Sequence, residues 1–382
     1  MSHFVIPNHT VVGTNVLSEA APLLKKMGNK AFIVTGKHVA VSNMMKQLTA
    51  LLDENGIGCV IFDGITGEPT DTMIENGVEM LKSSGCDFII GIGGGSPLDS
   101  AKAIAAMAVN EGSIADYNGK EITGEILPLA AIPTTAGTGS EATKFTVITD
   151  SEKGIKMLLK GDVLVPKLAI VDSSFTVGAP KSVTSATGLD ALTHAVEAYT
   201  SKKASPLTDV YAISAVKRIF NNLPTAYNDG NNKKARAEMS IAAFEAGVCI
   251  NNSTVTIVHG MSRPIGALFH IPHGISNAML IKNCLSYVIS GTPERFADLA
   301  IAMGVADESM DTETAASKFT DGVDILCKAC EIPTLEEYGV DKDKFLSAVD
   351  KMAGDAMDSG SPSNTRMSVE KEDLIKIYKS LW

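Results

Sequence analysis

Residues 87–99 read Asp-Phe-Ile-Ile-Gly-Ile-Gly-Gly-Gly-Ser-Pro-Leu-Asp, an apolar run closed by glycines and then by serine, proline and aspartate. Asp87–Ile92 is a short β-branched run of the kind buried in a parallel sheet. Glycines at a strand-to-helix turn let backbone N–H groups approach a diphosphate, and the dipole of the following helix favours the negative charge. Ser96 with Asp99 three residues on has the spacing of a capping box, and Pro97 suits the first helical position, so a helix is expected to about Ala108. The stretch departs from the usual dinucleotide fingerprint: Ser96 fills the last place of G-x-G-x-x-G, and the loop follows the third apolar run instead of the first. A tight turn packed for structural reasons is the competing reading.

Working outward, Ala31–Thr35, Cys59–Phe62, Leu127–Ile132 and Leu168–Val171 are similar runs separated by amphipathic stretches. That alternation predicts an α/β, Rossmann-like domain with a parallel sheet over residues 1–178. Beyond it the strand signal vanishes. Residues 184–200, 206–222, 235–262 and 276–289 carry helical spacing, so 179–382 is expected to be all-α. A chain of 382 residues also fits two domains at about 100–200 residues each, which implies a cleft. The Gly/Ser/Pro cluster at 359–363 reads as a surface turn before the last helix. A second loop, Ile132–Glu141 (IPTTAGTGSE), is dense in hydroxyls and glycines at another strand end. Two such loops favour a dinucleotide site over a purely structural turn.

Hydrophobic residues make up 45% and charged residues 20% of the chain, the profile of a globular protein with a large core. The net charge of −11 argues against nucleic acid or an anionic membrane as partner and leaves a small molecule. Six scattered cysteines, with Cys327 and Cys330 as a lone CxxC, read as reduced core thiols. No cationic start followed by an apolar run opens the chain, so the cytoplasm is the expected compartment.

Asp190 and His194 are four apart in a helical pattern and share a face. His259 and His273 sit in apolar, glycine-rich settings, and His194, His259, His270 and His273 are the histidines of the helical half. Three imidazoles and one carboxylate suit Zn2+ or Fe2+ with one position left for a substrate oxygen. A satisfied core histidine is the ordinary reading of each taken singly; jointly they point to a metal. His270 stays open between ligand, substrate contact and plain neighbour. Tyr199 and Lys203 match the Tyr-x-x-x-Lys spacing of short-chain dehydrogenases, but the first strand ends in Thr35-Gly36-Lys37 without the cofactor loop those enzymes carry there, so the pair is set aside.

With GGGSPLD at 93–99, PTTAGTGSE at 133–141, TGLDALTHAVEAY at 187–199, VHG at 258–260, IPHG at 271–274 and Asn364-Thr365-Arg366, the chain resembles the iron-containing (group III) alcohol dehydrogenases, sulfoacetaldehyde reductase-like members among them. The resemblance implies a dehydroquinate-synthase-like all-α second domain and one divalent metal, Fe2+ or Zn2+, on Asp190, His194, His259 and His273. It implies cofactor contacts at Gly93, Gly94, Gly95, Ser96, Asp99, Thr134, Thr135, Thr138 and Lys156. Three positions depart from the family pattern. Gly36 stands where many members carry an aspartate that repels the 2′-phosphate, so NADP(H) is admitted beside NAD(H), with NADH expected as the main reductant. Arg263 replaces the second histidine of His-x-x-x-His-Pro, and a guanidinium is no ordinary acid or base. Thr365 replaces a proline near the terminus, where little effect is expected.

The expected chemistry is hydride transfer between nicotinamide and a small aldehyde or alcohol, with the metal polarising the carbonyl and the last proton arriving through water or the cofactor ribose. Arg263, one turn after His259, offers a fork of donors, and Pro264 is expected to bend the helix there. That makes a short aldehyde bearing sulfonate, phosphonate or carboxylate the expected substrate, such as sulfoacetaldehyde or succinic semialdehyde. A brace between Arg263 and an acidic neighbour, with a neutral short-chain alcohol or diol as substrate, is the alternative. A metal- and NAD-dependent lyase like dehydroquinate synthase, and a nucleotide-binding module without catalysis, are the competing classes. A homo-oligomer, dimer or larger, is the expected assembly.

Overall fold

The computed structural model describes residues 3–382. The chain divides into two compact units between Val177 and Gly178. In the first, the strands are β1 (His9–Gly13), β2 (Lys30–Val34), β3 (Gly58–Phe62), β4 (Phe88–Gly93), β5 (Leu129–Pro133), β6 (Phe145–Asp150), β7 (Ile155–Lys160) and β8 (Leu168–Asp172). Six of them form a sheet in the order β1-β8-β5-β4-β2-β3, every pairing parallel. The chain passes outward from β2 to β3, then crosses back to β4 and on to β5 and β8. The order therefore reverses between β2 and β4, the point in an open α/β sheet where ligands settle beyond the carboxyl ends of the strands.

Both faces of this sheet are covered, which is why its strands read as unbroken apolar runs. Phe32, Val34 and Ile89 point to a core shared with Ala101, Ile104 and Leu159. Ala31, Ile33, Phe88, Ile90 and Ile92 point to the opposite one, with Leu24, Leu48 and Leu52. The two-residue alternation of a strand assigns each side chain to its layer. The five expected strands are present. β1 was not expected, nor was the antiparallel hairpin β6–β7, whose one-sided burial leaves Val147, Ile155 and Leu158 exposed.

The second unit is helical, beginning with Lys181–Thr200, Pro206–Asn228, Lys233–Asn252, Ile257–Phe269 and His273–Val288. The single helix expected over 235–262 is two helices, broken at Ser253–Thr256. Asn364 donates from Nδ2 to Thr254 Oγ1 and to the Val255 carbonyl, both at 3.1 Å, and braces this break. The 359–363 cluster is a surface turn only in part: Ser359, Gly360 and Ser363 are exposed, whereas Ser361 and Pro362 are buried, and a Cβ on Gly260 would stand 2.8 Å from Pro362 Cδ. Thr365 is likewise buried and bridges to Ser201 just past the end of the Asp190 helix. All six cysteines are free thiols. Among the described residues no single helix is long and apolar enough to cross a membrane.

Candidate functional site

In the first unit, the Gly93–Gly95 loop closes β4 and the Thr134–Ser140 loop closes its neighbour β5, joined where Thr134 N donates to the Gly93 carbonyl at 2.9 Å. The helix runs Gly95–Met107 with Gly94 as its N-cap and no side-chain cap. The capping box expected of Ser96 and Asp99 is therefore absent: Ser96 lies in the first turn, and Asp99 turns to Ser140, whose hydroxyl donates to its Oδ1 at 2.5 Å. Uncapped N–H groups at a helix start are what an anion uses. Gly93 has φ +150°, and a Cβ there would strike Pro97 at 2.6 Å; a Cβ on Gly95 would strike Thr138 at 2.9 Å. At Gly94 the nearest atom would be 3.5 Å away, an ordinary contact. The protein itself does not require glycine at 94, whereas a diphosphate resting on the helix start does, so the loop fits a nucleotide.

In the second unit, the Lys181–Thr200 helix carries Asp190 and His194 one turn apart, the Ile257–Phe269 helix presents His259 in its first turn, and His273 opens the helix after Pro272. Asp190 Oδ1 lies 3.9 Å from His194 Nε2, 3.7 Å from His259 Nε2 and 3.6 Å from His273 Nε2. The His194 and His259 rings stack at 4.7 Å, and His259 and His273 tilt together at 5.3 Å. Glu197, two turns beyond Asp190 on one face and fully buried, accepts from His259 Nδ1 at 2.6 Å, Thr256 Oγ1 at 2.7 Å and the Val258 amide at 2.6 Å. A carboxylate only accepts, so the proton of His259 sits on Nδ1 and its Nε2 lone pair faces Asp190.

Burial pushes the Asp190 carboxyl up, but positive charge on the His194, His273 and His259 imidazoles, when they are protonated, overcomes it and holds the group far below the usual carboxylate range. Burial likewise works against Glu197, and His259 with the donors from Thr256 reverses it. His273 is pushed down to about 4, by burial first and then by His259, His194 and Arg263, against the pull of Asp190. Its side chain is 45% exposed, so the crowding is that of a recess open on one side. A carboxylate with three imidazole Nε2 atoms 3.6–3.9 Å from its Oδ1 is a donor set that suits a divalent cation. Asn277 Nδ2 donates to Asp190 Oδ1 at 2.7 Å and lies 3.3 and 3.2 Å from His259 and His273 Nε2. The residues fit a metal.

The chain matches the family model for iron-containing alcohol dehydrogenase over residues 7–173 and that for the Fe-containing alcohol dehydrogenase family, C-terminal, over residues 184–382. It belongs to the iron-containing alcohol dehydrogenase family. It is similar to an NAD-dependent methanol dehydrogenase of Bacillus methanolicus, 36% identical over all of both chains. Its fold superposes on a solved 1,3-propanediol oxidoreductase with a TM-score of 0.96 at 34% identity, covering both chains completely. A sulfoacetaldehyde reductase of Bifidobacterium kashiwanohense in complex with NAD+ follows it at a TM-score of 0.90 and 27% identity, over 100% of this chain and 98% of that one. The chain is therefore an oxidoreductase of small molecules, in a family whose chemistry uses a metal and NAD(H).

As an iron-containing alcohol dehydrogenase the chain keeps some family positions in unexpected roles. Arg263 is exposed and donates from Nη1 to Ser361 Oγ at 3.3 Å; among the described residues it forms no ion pair, so no acidic brace holds it. Pro264 lies inside a helix that continues to Phe269. His270 caps that helix at φ +55°, exposed, and turns the chain toward His273. The ligand atoms of Asp190, His259 and His273 lie within 4.8 Å of one another, a group that does not include His270 or His194, the latter approaching Asp190 Oδ1 at 3.9 Å. Lys156 pairs with Glu68 at 2.6 Å, both half or more exposed. Gly36 caps a short turn after β2, and a Cβ there would meet the Ile65 carbonyl at 2.9 Å. Tyr199 is buried and donates to Asp298 at 2.7 Å; burial and that carboxylate push its hydroxyl above the ordinary phenol range, so it is a structural group. Glu197, Asn277, Lys102 and Glu141 escaped the sequence reading. Glu197 stands three residues after His194 and Asn277 four after His273, so helical spacing was the available signal for both.

Proposed function

We propose that the chain reduces short-chain aldehydes with NADH, that NADPH is a weaker reductant, and that the preferred aldehyde carries an anionic tail received by Arg263. The observation that carries this reading is an exposed guanidinium without an acidic partner, one helical turn from His259 and charged enough to act on His273. Asp190, His194, His259 and His273 would hold the cation, Fe2+ or Zn2+, which when bound supplies a Lewis acid for the carbonyl oxygen. Glu197 keeps His259 in the tautomer that leaves Nε2 free, and Asn277 holds Asp190 Oδ1 toward the same point. The uncapped start of the Gly95–Met107 helix, with Gly93 and Gly94, takes the diphosphate, and Thr134, Thr135 and Thr138 offer hydroxyls beside it. Arg263 accepts no proton near neutral pH, so it orients an anion and leaves the final proton to water.

A neutral alcohol or diol is the second reading, favoured by the activities for which the methanol and propanediol relatives are named. Steady-state kinetics on the metal-reconstituted enzyme separate the two. Arg263→Ala is expected to raise KM for sulfoacetaldehyde or succinic semialdehyde by about tenfold or more, while a neutral aldehyde of similar length changes little. Equal losses on both, or unchanged kinetics for the anion, would return the enzyme to neutral substrates. The same assays with NADPH in place of NADH test the cofactor, and a large NADPH preference would overturn that part.

A further inference from the structure

We propose that Asp99 and Lys102 act as an internal clasp that locks the two glycine-rich loops into one rigid platform, so that both residues set nucleotide affinity by positioning and neither touches the nucleotide. The proposal rests on reading those loops as the dinucleotide site. Lys102 lies in the Gly95–Met107 helix among Leu98, Ala101 and Ala103–Met107, all buried and apolar, yet its own side chain is 0% exposed. A buried ammonium costs several kcal/mol unless its donors are met. All three are met, and by one partner segment: Nζ donates to Ser140 Oγ at 2.8 Å, Thr143 Oγ1 at 3.0 Å and the Phe145 carbonyl at 2.7 Å.

Asp99 closes the circuit. Its Oδ1 accepts from Ser140 Oγ and stands 3.8 Å from Lys102 Nζ, and its Oδ2 accepts from the Val147 amide at 2.8 Å. Ser140 thus accepts a hydrogen bond from Lys102 and donates one to Asp99, which leaves neither carboxylate oxygen uncommitted. Gly139, at φ +63°, supplies the turn that aims Ser140 inward. The helix that begins at the first loop and the segment that ends the second are held by charge-assisted bonds where a leucine would have filled the space. Such buried polar groups fix register more than they add stability.

The test is NADH affinity, read by fluorescence titration on the metal-loaded full chain, in Lys102→Met, Asp99→Asn, Ser140→Ala and the double variant Asp99→Asn/Ser140→Ala. Lys102→Met is expected to raise the Kd for NADH by about tenfold, with the loss falling on Kd and on KM for NADH more than on kcat and with metal content unchanged. Lys102→Arg restores part of it. In the double variant the two losses are expected not to add, because each breaks the same link. Additive losses would make Asp99 a direct nucleotide contact and overturn the clasp, as would an unchanged Kd in Asp99→Asn and Ser140→Ala, which decide the matter even if Lys102→Met does not fold. Gly94→Val separates the underlying reading: NADH binding that survives it sinks the loop assignment itself, whereas binding lost in Gly94→Val but intact in the clasp variants sinks the clasp alone.

Discussion

Glu197 shows how one side chain determines what its neighbours can do. Three donors converge on its carboxylate: His259 Nδ1, Thr256 Oγ1 and the Val258 amide. Through the first it fixes the tautomer of His259, a proposed metal ligand; through the other two it pins the start of the helix that bears it. Glu197→Gln keeps one acceptor oxygen for the imidazole, removes the charge that strengthens that bond and turns an NH2 toward the Thr256 and Val258 donors. Metal affinity is expected to fall about 10–100-fold, as for other outer partners of ligating histidines. Competition with a coloured chelator reads this directly, and an unchanged metal Kd would show that Glu197 serves folding only. Glycine 36 carries a different lesson. An aspartate there would add a Cβ 2.9 Å from the Ile65 carbonyl, so a loss in that variant mixes backbone displacement with any effect on the cofactor phosphate. Direct comparison of NADH and NADPH on the unaltered chain avoids the mixture.

The helix break at Ser253–Thr256 is the element on which the proposed metal site turns. It frees Thr256 and the Val258 amide to meet Glu197, and it is held from outside by the two donations of Asn364. Asn364→Ala is expected to leave the Thr254 hydroxyl and Val255 carbonyl short of a donor, costing about 1–3 kcal/mol. Thermal unfolding and metal titration should both register it; a lowered Tm with unaltered metal affinity would show that the brace does not reach His259. This break was not read from the sequence: the helical expectation ran through the polar stretch Asn251-Asn252-Ser253-Thr254, and tertiary bonds to Glu197 and Asn364 fix where the helices stop and restart. The proposed metal ligands were legible for the opposite reason: Asp190 and His194 are set by local periodicity, and His259 and His273 by glycine-rich flanks. β2, β3, β4, β5 and β8 were read from burial on both faces. β1 and the β6–β7 hairpin gave no continuous apolar run: β1 is His-Thr-Val-Val-Gly, and the hairpin buries Thr146 and Asp150 while Val147, Ile155 and Leu158 are exposed, so its pattern does not mark a core face. The Ser96–Asp99 spacing fitted a capping box, yet the pairing of Asp99 with Ser140 spans 41 residues and outweighs the local rule.

At the scale of the whole chain, pH acts through the charges shut inside the first unit. Burial lifts the Glu141 carboxyl from 4.5 to about 7, so the folded state holds this proton more tightly than the unfolded chain does. Its contribution to stability is therefore complete below about 4.5 and lost as pH rises through about 7. Lys102, brought down to about 8 by burial, acts in the opposite sense, and its contribution is lost as pH falls through that value. Between about pH 5 and 7.5 the Tm of the native chain should fall relative to that of Glu141→Gln, in which the buried carboxyl no longer titrates. Parallel Tm profiles for the two would remove Glu141 from the account. Aldehyde reduction is proposed to depend on one cation site formed by Asp190, His194, His259 and His273. Metal content and NADH-linked aldehyde reduction, measured side by side for the native chain and His259→Ala, test it most directly. About one divalent cation per chain and turnover in the first, with both lost in the second, is the expected result. Full metal occupancy and a near-native rate in His259→Ala would contradict it.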